Sequence, residues 1–226
     1  MSLEIIFSGL IVAIEFLLST ILLFNWSRTE VKFFSDLPFL FGVSILSVGI
    51  SGILNLTYLL TYFAPELIVF QIRGLLICLT GAMMILAILK IWLPENFKIV
   101  ISGGLIYVTA FLSVILFSQT SAQIISYTSP FIAINVILVI ITFSIVYLKR
   151  RLPMVNSPLV ILGALIILSG QLSKFTLSSL GLPVLADLIS IAGWCVFTSG
   201  FLIKASYFKD SNLTLPTSDF SSKAED

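Results

Sequence analysis

Six polar side chains stand inside otherwise apolar stretches of this sequence, where they are well placed to do chemistry. Four are ionisable and two are amides: Glu15, Arg73, Lys174, Asp187, Asn55 and Gln171. A charged side chain at mid-membrane costs about 2.5–3.5 kcal/mol on insertion scales, so each one calls for a partner, water or a function. Because these residues fall in the middle or outer half of several helices, we predict that they line an outer cavity for a small polar solute or ligand.

Glu15 is the most demanding of the six. At 1.5 Å per residue it lies about 16 Å along its helix, near the bilayer centre, so its short side chain reaches neither interface. Three outcomes are open for this carboxyl: an ion pair, a water-filled cavity, or protonation. Protonation in turn predicts either a proton-coupling group or a neutral acid that is hydrogen-bonded across a helix contact.

Arg73, Lys174 and Asp187 lie closer to the outer surface, about 5–9 Å inside the ends of their helices by the same rise. Arginine and lysine side chains can extend from such positions to the lipid headgroups. Two interpretations stay open for these residues. Either Asp187 pairs with Arg73 or Lys174 and joins helix seven to helix three or six, or the three charges hold a charged or polar solute.

The residue types that are missing argue against catalysis. The chain has no histidine, which removes the usual general base, the usual zinc and haem ligand and the usual partner of a serine nucleophile. An intramembrane aspartyl protease would need two aspartates, and Asp187 stands alone within a helical segment. Cys78 and Cys195 are interpreted as small buried side chains. We therefore expect no enzymatic activity, no metal, no cofactor and no nucleic-acid partner.

Long apolar segments carry these polar residues. Of the 226 residues, 58% are apolar and only 10% are charged, which no soluble domain matches. Seven segments reach the length of about 20 residues that spans the hydrocarbon core: 4–24, 37–61, 67–93, 98–117, 129–148, 157–179 and 184–207. Prolines are predicted at segment ends or in loops: Pro38, Pro65, Pro94, Pro130, Pro153, Pro158 and Pro183. The sequence thus predicts an all-α membrane protein with a seven-helix domain over 1–207 and a disordered cytoplasmic tail over 208–226.

Basic residues indicate the orientation of the chain. Ten of the twelve lysines and arginines fall in alternate connections: Arg28, Lys32, Lys90, Lys98, Lys149, Arg150, Arg151, Lys204, Lys209 and Lys223. The positive-inside rule puts those connections in the cytoplasm and the N-terminus outside. The first segment lacks a basic leader and a cleavage site, so we expect it to be retained as a helix. We predict a multi-pass protein of the plasma (cell) membrane.

Glycine spacing predicts an internal repeat. Pairs of glycines seven residues apart recur in helices two and three and again in helices six and seven: Gly42 and Gly49, Gly74 and Gly81, Gly163 and Gly170, Gly193 and Gly200. The same register sets Glu15 near Asn135. With helix 98–117 as a linker, this predicts parallel repeats over 4–93 and 129–207, a three-plus-one-plus-three plan. Chance is the alternative, since small residues at this spacing mark any close helix contact.

This plan resembles those of the SWEET and PQ-loop transporters, the microbial rhodopsins and the seven-helix sensor modules of prokaryotic signalling proteins. The resemblance is one of architecture and would cover nearly the whole chain. The Pro-Gln dipeptide of the PQ-loop family is absent, because no glutamine follows a proline. A rhodopsin-like lysine halfway along helix seven is also absent, since Lys204 lies at the cytoplasmic end, so retinal is not expected.

Three functions are compatible with these features, and transport is placed first. A carrier would bind a small polar solute between the two repeats. It would need no separate output domain, and we expect none in this chain. A sensor or receptor-like module would use the same cavity but would need a cytoplasmic partner. An accessory subunit would pack its polar face on another membrane protein. A helix broken at Gly49–Gly52 or Gly74 would favour transport, whereas seven straight helices with all polar groups paired would favour the others.

Overall fold

A computed structural model describes residues 3–28, 36–152, 154–180 and 182–203 of the chain. Within these ranges the chain forms seven α-helices, each long and apolar enough to cross a membrane. Their bounds are α1 Leu3–Ser27, α2 Leu37–Thr61, α3 Glu66–Trp92, α4 Phe97–Phe117, α5 Ser121–Lys149, α6 Ser157–Ser179 and α7 Pro183–Leu202. The prediction of an all-α, multi-pass membrane protein with seven spanning helices is confirmed. The predicted tail, 208–226, lies outside the described residues.

The start of α5 differs from the prediction. The helix begins at Ser121 instead of residue 129, because Thr120 caps it by accepting a hydrogen bond from the Gln123 backbone N–H at 3.2 Å. The Gln123 side chain in turn accepts the backbone N–H of Gln119 at 2.8 Å. This arrangement is close to a capping box. Pro130 consequently lies inside the helix, and its predicted place at a helix end is wrong.

Six of the helices form a closed ring, and α4 stands outside it. Each of α1, α2, α3, α5, α6 and α7 packs against the next in that order, and α7 packs against α1. Helix α4 packs on the outside of the ring against α3 and α5. We call α1–α3 the first triplet and α5–α7 the second triplet; they meet at two seams, α1 against α7 and α3 against α5.

Glycines bring the backbones of α6 and α7 into direct contact. They are the four glycines of the predicted second repeat: Gly163, Gly170, Gly193 and Gly200. A Cβ atom added at Gly163 would lie 2.6 Å from the Cα atom of Phe197, and one added at Gly200 would lie 3.0 Å from the backbone nitrogen of Val160. Because no side chain separates the two helices there, they form the most extensive pairing in the bundle.

The glycines of the predicted first repeat are used differently. A Cβ atom at Gly42 or Gly49 would meet side chains of α1. One at Gly74 would meet a side chain of α4, and one at Gly81 would meet side chains of α4 and α5. None of these four contacts is between the backbones of α2 and α3. The glycine pairs thus have the same spacing in the sequence but make different contacts in the two triplets. The internal repeat therefore stays a prediction.

The two ends of the bundle are packed differently. We call the end where α1, α3, α5 and α7 begin the N-terminal face, and the opposite end the C-terminal face. The half next to the C-terminal face is filled by apolar side chains. Its centre is an aromatic cluster whose contacting rings lie 5.0–6.4 Å apart between centroids. The aromatic cluster consists of Phe41, Phe143, Phe197 and Phe201.

Candidate functional site

A cavity of about 420 Å³ occupies the half of the bundle next to the N-terminal face. All six helices of the ring contribute residues to its wall, and the described residues of α4 contribute none. All six residues selected from the sequence line this one cavity: Glu15, Asn55, Arg73, Gln171, Lys174 and Asp187. The structure therefore brings together side chains from α1, α2, α3, α6 and α7, between the two triplets. Its volume falls within the range of about 300–1,000 Å³ that is usual for small-molecule sites.

Glu15 lies on the α1 wall of the cavity, where only 6% of the residue is exposed. Among the described residues its carboxyl has neither a hydrogen-bond donor nor an ionic partner. Gly52 of α2 faces it, and a Cβ atom added there would lie 3.5 Å from Oε2 of Glu15. Of the three outcomes open for Glu15, the absence of an ionic partner excludes an ion pair within the described chain.

Arg73 reaches the cavity from α3. Its Nη1 donates a hydrogen bond of 2.6 Å to Oδ1 of Asn55 on α2, and its guanidinium carbon lies 4.9 Å from the centre of the Phe70 ring. The Nε of Arg73 is buried and has no acceptor in the described part of the chain. Because neither contact supplies a carboxylate, the positive charge of Arg73 is left without an ionic partner there.

Lys174 and Asp187 form the ion pair of the site, with 3.0 Å between Nζ and Oδ1. The pair joins α6 to α7, as one of the two alternatives predicted. About half of each side chain is exposed, which places the pair at the mouth of the cavity. Asp187 is near enough to act electrostatically on both Glu15 and Arg73, and Lys174 acts on Glu15.

Asn135 of α5 is a cavity residue that the sequence-based selection missed. It is 2% exposed, and its Nδ2 donates a hydrogen bond of 2.7 Å to the hydroxyl of Tyr107 on α4. Its Oδ1 is buried without a donor in the described residues. The signal that could have found it was present, because the glycine register aligned Asn135 with Glu15. The late predicted start of α5 also hid Thr128, which lines the cavity but bonds to its own helix.

The arrangement can hold a small polar molecule by charge and by hydrogen bonds. It offers a carboxyl, a guanidinium and an amide oxygen that lack complete partners, set in a wall of apolar side chains interspersed with serines and threonines. Within the described residues no group of three acidic or thiol side chains comes together, so we assign no metal ligands.

Comparison of the chain with family models, with curated proteins and with solved structures finds no match. The function is therefore inferred from the site alone.

Proposed function

We propose that this protein is a membrane carrier that binds a small polar solute in the central cavity and moves it across the membrane without chemical change. The observation that carries this proposal is the position of the cavity between the two triplets, with unpartnered polar groups inside it. Packing is more extensive within each triplet than at either seam. Two bodies that are firm within and looser between can rock against each other, which is how repeat-built transporters alternate access.

The proposed location is the plasma membrane. In the proposed orientation the N-terminal face lies outside the cell and the C-terminal face lies in the cytoplasm. Lys90 and Lys149 lie in the last turns of α3 and α5, at the C-terminal face. The positive-inside rule assigns helix ends with basic residues to the cytoplasm, which supports this orientation. The cavity would then open outward. The two triplets would be the moving bodies whether or not they share a common origin as repeats.

The aromatic cluster would be the barrier below the solute. Phe41 belongs to the first triplet, whereas Phe143, Phe197 and Phe201 belong to the second. The contacts across this cluster are ring edges and faces, which can separate without breaking hydrogen bonds. Tilting one triplet against the other would part the cluster and close the mouth of the cavity.

Uptake into proteoliposomes tests the proposal. Vesicles containing the wild type, Glu15→Gln or Glu95→Gln would be given a pool of small polar metabolites at two external pH values, with uptake read by mass spectrometry. Glu95 lies exposed in the connection between α3 and α4, so its variant is the matched control. We expect accumulation of a solute that is lost, or loses its pH dependence, only in Glu15→Gln. Folded wild-type protein that accumulates nothing would contradict transport.

A sensor or receptor-like module is the second candidate, and one observation favours it. Helices α2 and α3 run without a break through Gly49, Gly52 and Gly74, where a broken helix would have favoured transport. Such a module would bind the solute in the same cavity and pass the change in helix packing to a cytoplasmic partner. Saturable solute binding in detergent together with no uptake in vesicles would select this function over transport.

A further inference from the structure

The charges that line the cavity do not all neutralise one another. Lys174 and Asp187 satisfy each other at the mouth. Glu15 and Arg73 have no ionic partner among the described residues, and they do not contact each other. The cavity is therefore left with one buried acidic group, Glu15, and one partly buried basic group, Arg73. Leaving either charge uncompensated in an apolar wall is costly.

The two unpartnered groups lie within a few ångströms of each other along α2. Glu15 faces Gly52, and Arg73 is bonded to Asn55. These two α2 positions are three residues apart, which is about 4.5 Å along a helix axis. The ammonium and carboxylate groups of an α-amino acid are about 3 Å apart, and a hydrogen bond adds about 2.9 Å at each end, so one small molecule can touch both.

The depths of these polar groups in the membrane determine how such a molecule would be oriented. Counted along α2 from its end on the N-terminal face, Glu15 lies opposite Gly52 at a depth of about 13.5 Å. Arg73 bonds Asn55 at a depth of about 9 Å on the same count. Asn135 lies about 21 Å from the start of α5. At the deep end, Glu15 and the free Oδ1 of Asn135 can accept hydrogen bonds from a solute. Nearer the mouth, the free Nε of Arg73 can donate one. The deep end thus suits a group rich in N–H donors, and the outer part suits an anion.

We propose that the solute is a small zwitterion of the α-amino-acid class. Its ammonium group lies against Glu15 and the Oδ1 of Asn135, and its carboxylate lies against Arg73. This assignment rests on the proposed binding of a polar solute in the cavity. A neutral polyol would leave both charges uncompensated, and a simple anion or cation would leave one.

Calorimetry on the purified full-length protein in detergent tests the assignment. The probes are an equimolar pool of the twenty common α-amino acids and a separate pool of glucose, glycerol and other uncharged polyols. For each amino acid that binds, two analogues follow: its amide, which lacks the carboxylate, and its des-amino acid, which lacks the ammonium group. We expect binding from the first pool only, with each analogue at least tenfold weaker than the parent zwitterion.

Two variants each remove one of the proposed charged contacts. In Glu15→Gln the preference for the parent over its des-amino analogue should shrink to a few-fold, because the ammonium group loses its charged partner and keeps only the Oδ1 of Asn135. In Arg73→Gln the parent and its amide should become equal. Glu95→Gln and Arg151→Gln, which change exposed residues outside the cavity, should keep both preferences.

The outcomes separate the two proposals. Binding of an uncharged polyol that is unaffected by Glu15→Gln would overturn the zwitterion while leaving solute binding in place. An affinity loss that is equal for the parent and both analogues in both variants would also overturn it, since it would indicate a structural role for these charges. No binding from either pool by folded protein would overturn the solute site itself, and the zwitterion with it.

Discussion

The two halves of the bundle are built from the same continuous helices but differ in packing. The half next to the C-terminal face is solid, whereas the half next to the N-terminal face contains the cavity. On α2, for example, Phe41 and Ile45 are fully buried in the C-terminal half, whereas Gly52 and Asn55 line the cavity in the N-terminal half. Since the backbone does not change, side-chain size and polarity alone make one half solid and the other hollow. The packed core and the proposed solute site are thus separated along the membrane normal.

The largest effect should come from the solid half. Phe197→Ala removes a ring that is 0% exposed and contacts Phe41, Phe201 and Trp194. Losing those contacts and leaving a hole should lower the free energy of unfolding by about 3–5 kcal/mol. Denaturant titration in detergent micelles measures this value. Phe117→Ala is the control, because that ring is 84% exposed and its loss should change little; equal losses in the two variants would deny the contrast between the halves.

The glycine contact between α6 and α7 should give the next effect. Gly163→Ala places a methyl group against the backbone of Phe197, which cannot move aside as a flexible side chain can. Overpacking of this kind should cost about 1–3 kcal/mol, read as a lower midpoint in the same titration. Gly9→Ala is its matched control, since the nearest atom to an added Cβ there is 4.0 Å away. Tolerance of Gly163→Ala would mean that the α6–α7 pair is loose enough to slide.

A change in the hollow half should have the opposite sign. Glu15→Leu replaces an unpartnered buried carboxyl with an apolar side chain, so the free energy of unfolding should rise by about 1 kcal/mol while solute binding is lost. The denaturant titration measures the change in stability, and the calorimetric assay measures the loss of solute binding. A loss of stability as large as that of Phe197→Ala would show instead that Glu15 holds the helices together.

The smallest effect concerns the ion pair at the mouth. A double-mutant cycle with Lys174→Met and Asp187→Asn, measured without solute, should give a coupling energy of about 0.2–1 kcal/mol, because each side chain is about half exposed and water screens the pair. A coupling of several kcal/mol would place the pair in a drier setting than the structure describes.

The number of helices could be predicted because the bilayer imposes it. A segment of about 20 apolar residues has no other way to satisfy its backbone in lipid, and the seven predicted segments match the seven helices of the described chain. The ring order and the outer position of α4 could not be predicted, because they depend on which helix surfaces fit together. Gly74 shows the difficulty, since its partner, Ile115, lies on α4 outside the ring.

The site was predictable where a residue was costly in itself. Glu15 and Arg73 stand out because a charge in an apolar run demands an explanation. Asn135 was passed over as a site although the glycine register aligned it with Glu15, because only its environment in the fold shows that its Oδ1 lacks a donor. The start of α5 was missed because polar residues and Pro130 were taken as loop signals, although Thr120 and Gln123 have the spacing of a helix cap.

Pro130 has a mechanical consequence for the wall of the cavity. Proline has no N–H to donate, so the hydrogen-bond ladder of α5 lacks a link to the residue four places earlier. In the described helices Pro130 is the one proline that lies within a helix interior, and the cavity is bordered by α5 residues on both sides of it, from Ile124 to Val136. The first turns of α5, about 13 Å long, are therefore held to the rest of the helix by one backbone hydrogen bond fewer. A tilt of this segment at Pro130 would change the width of the entrance.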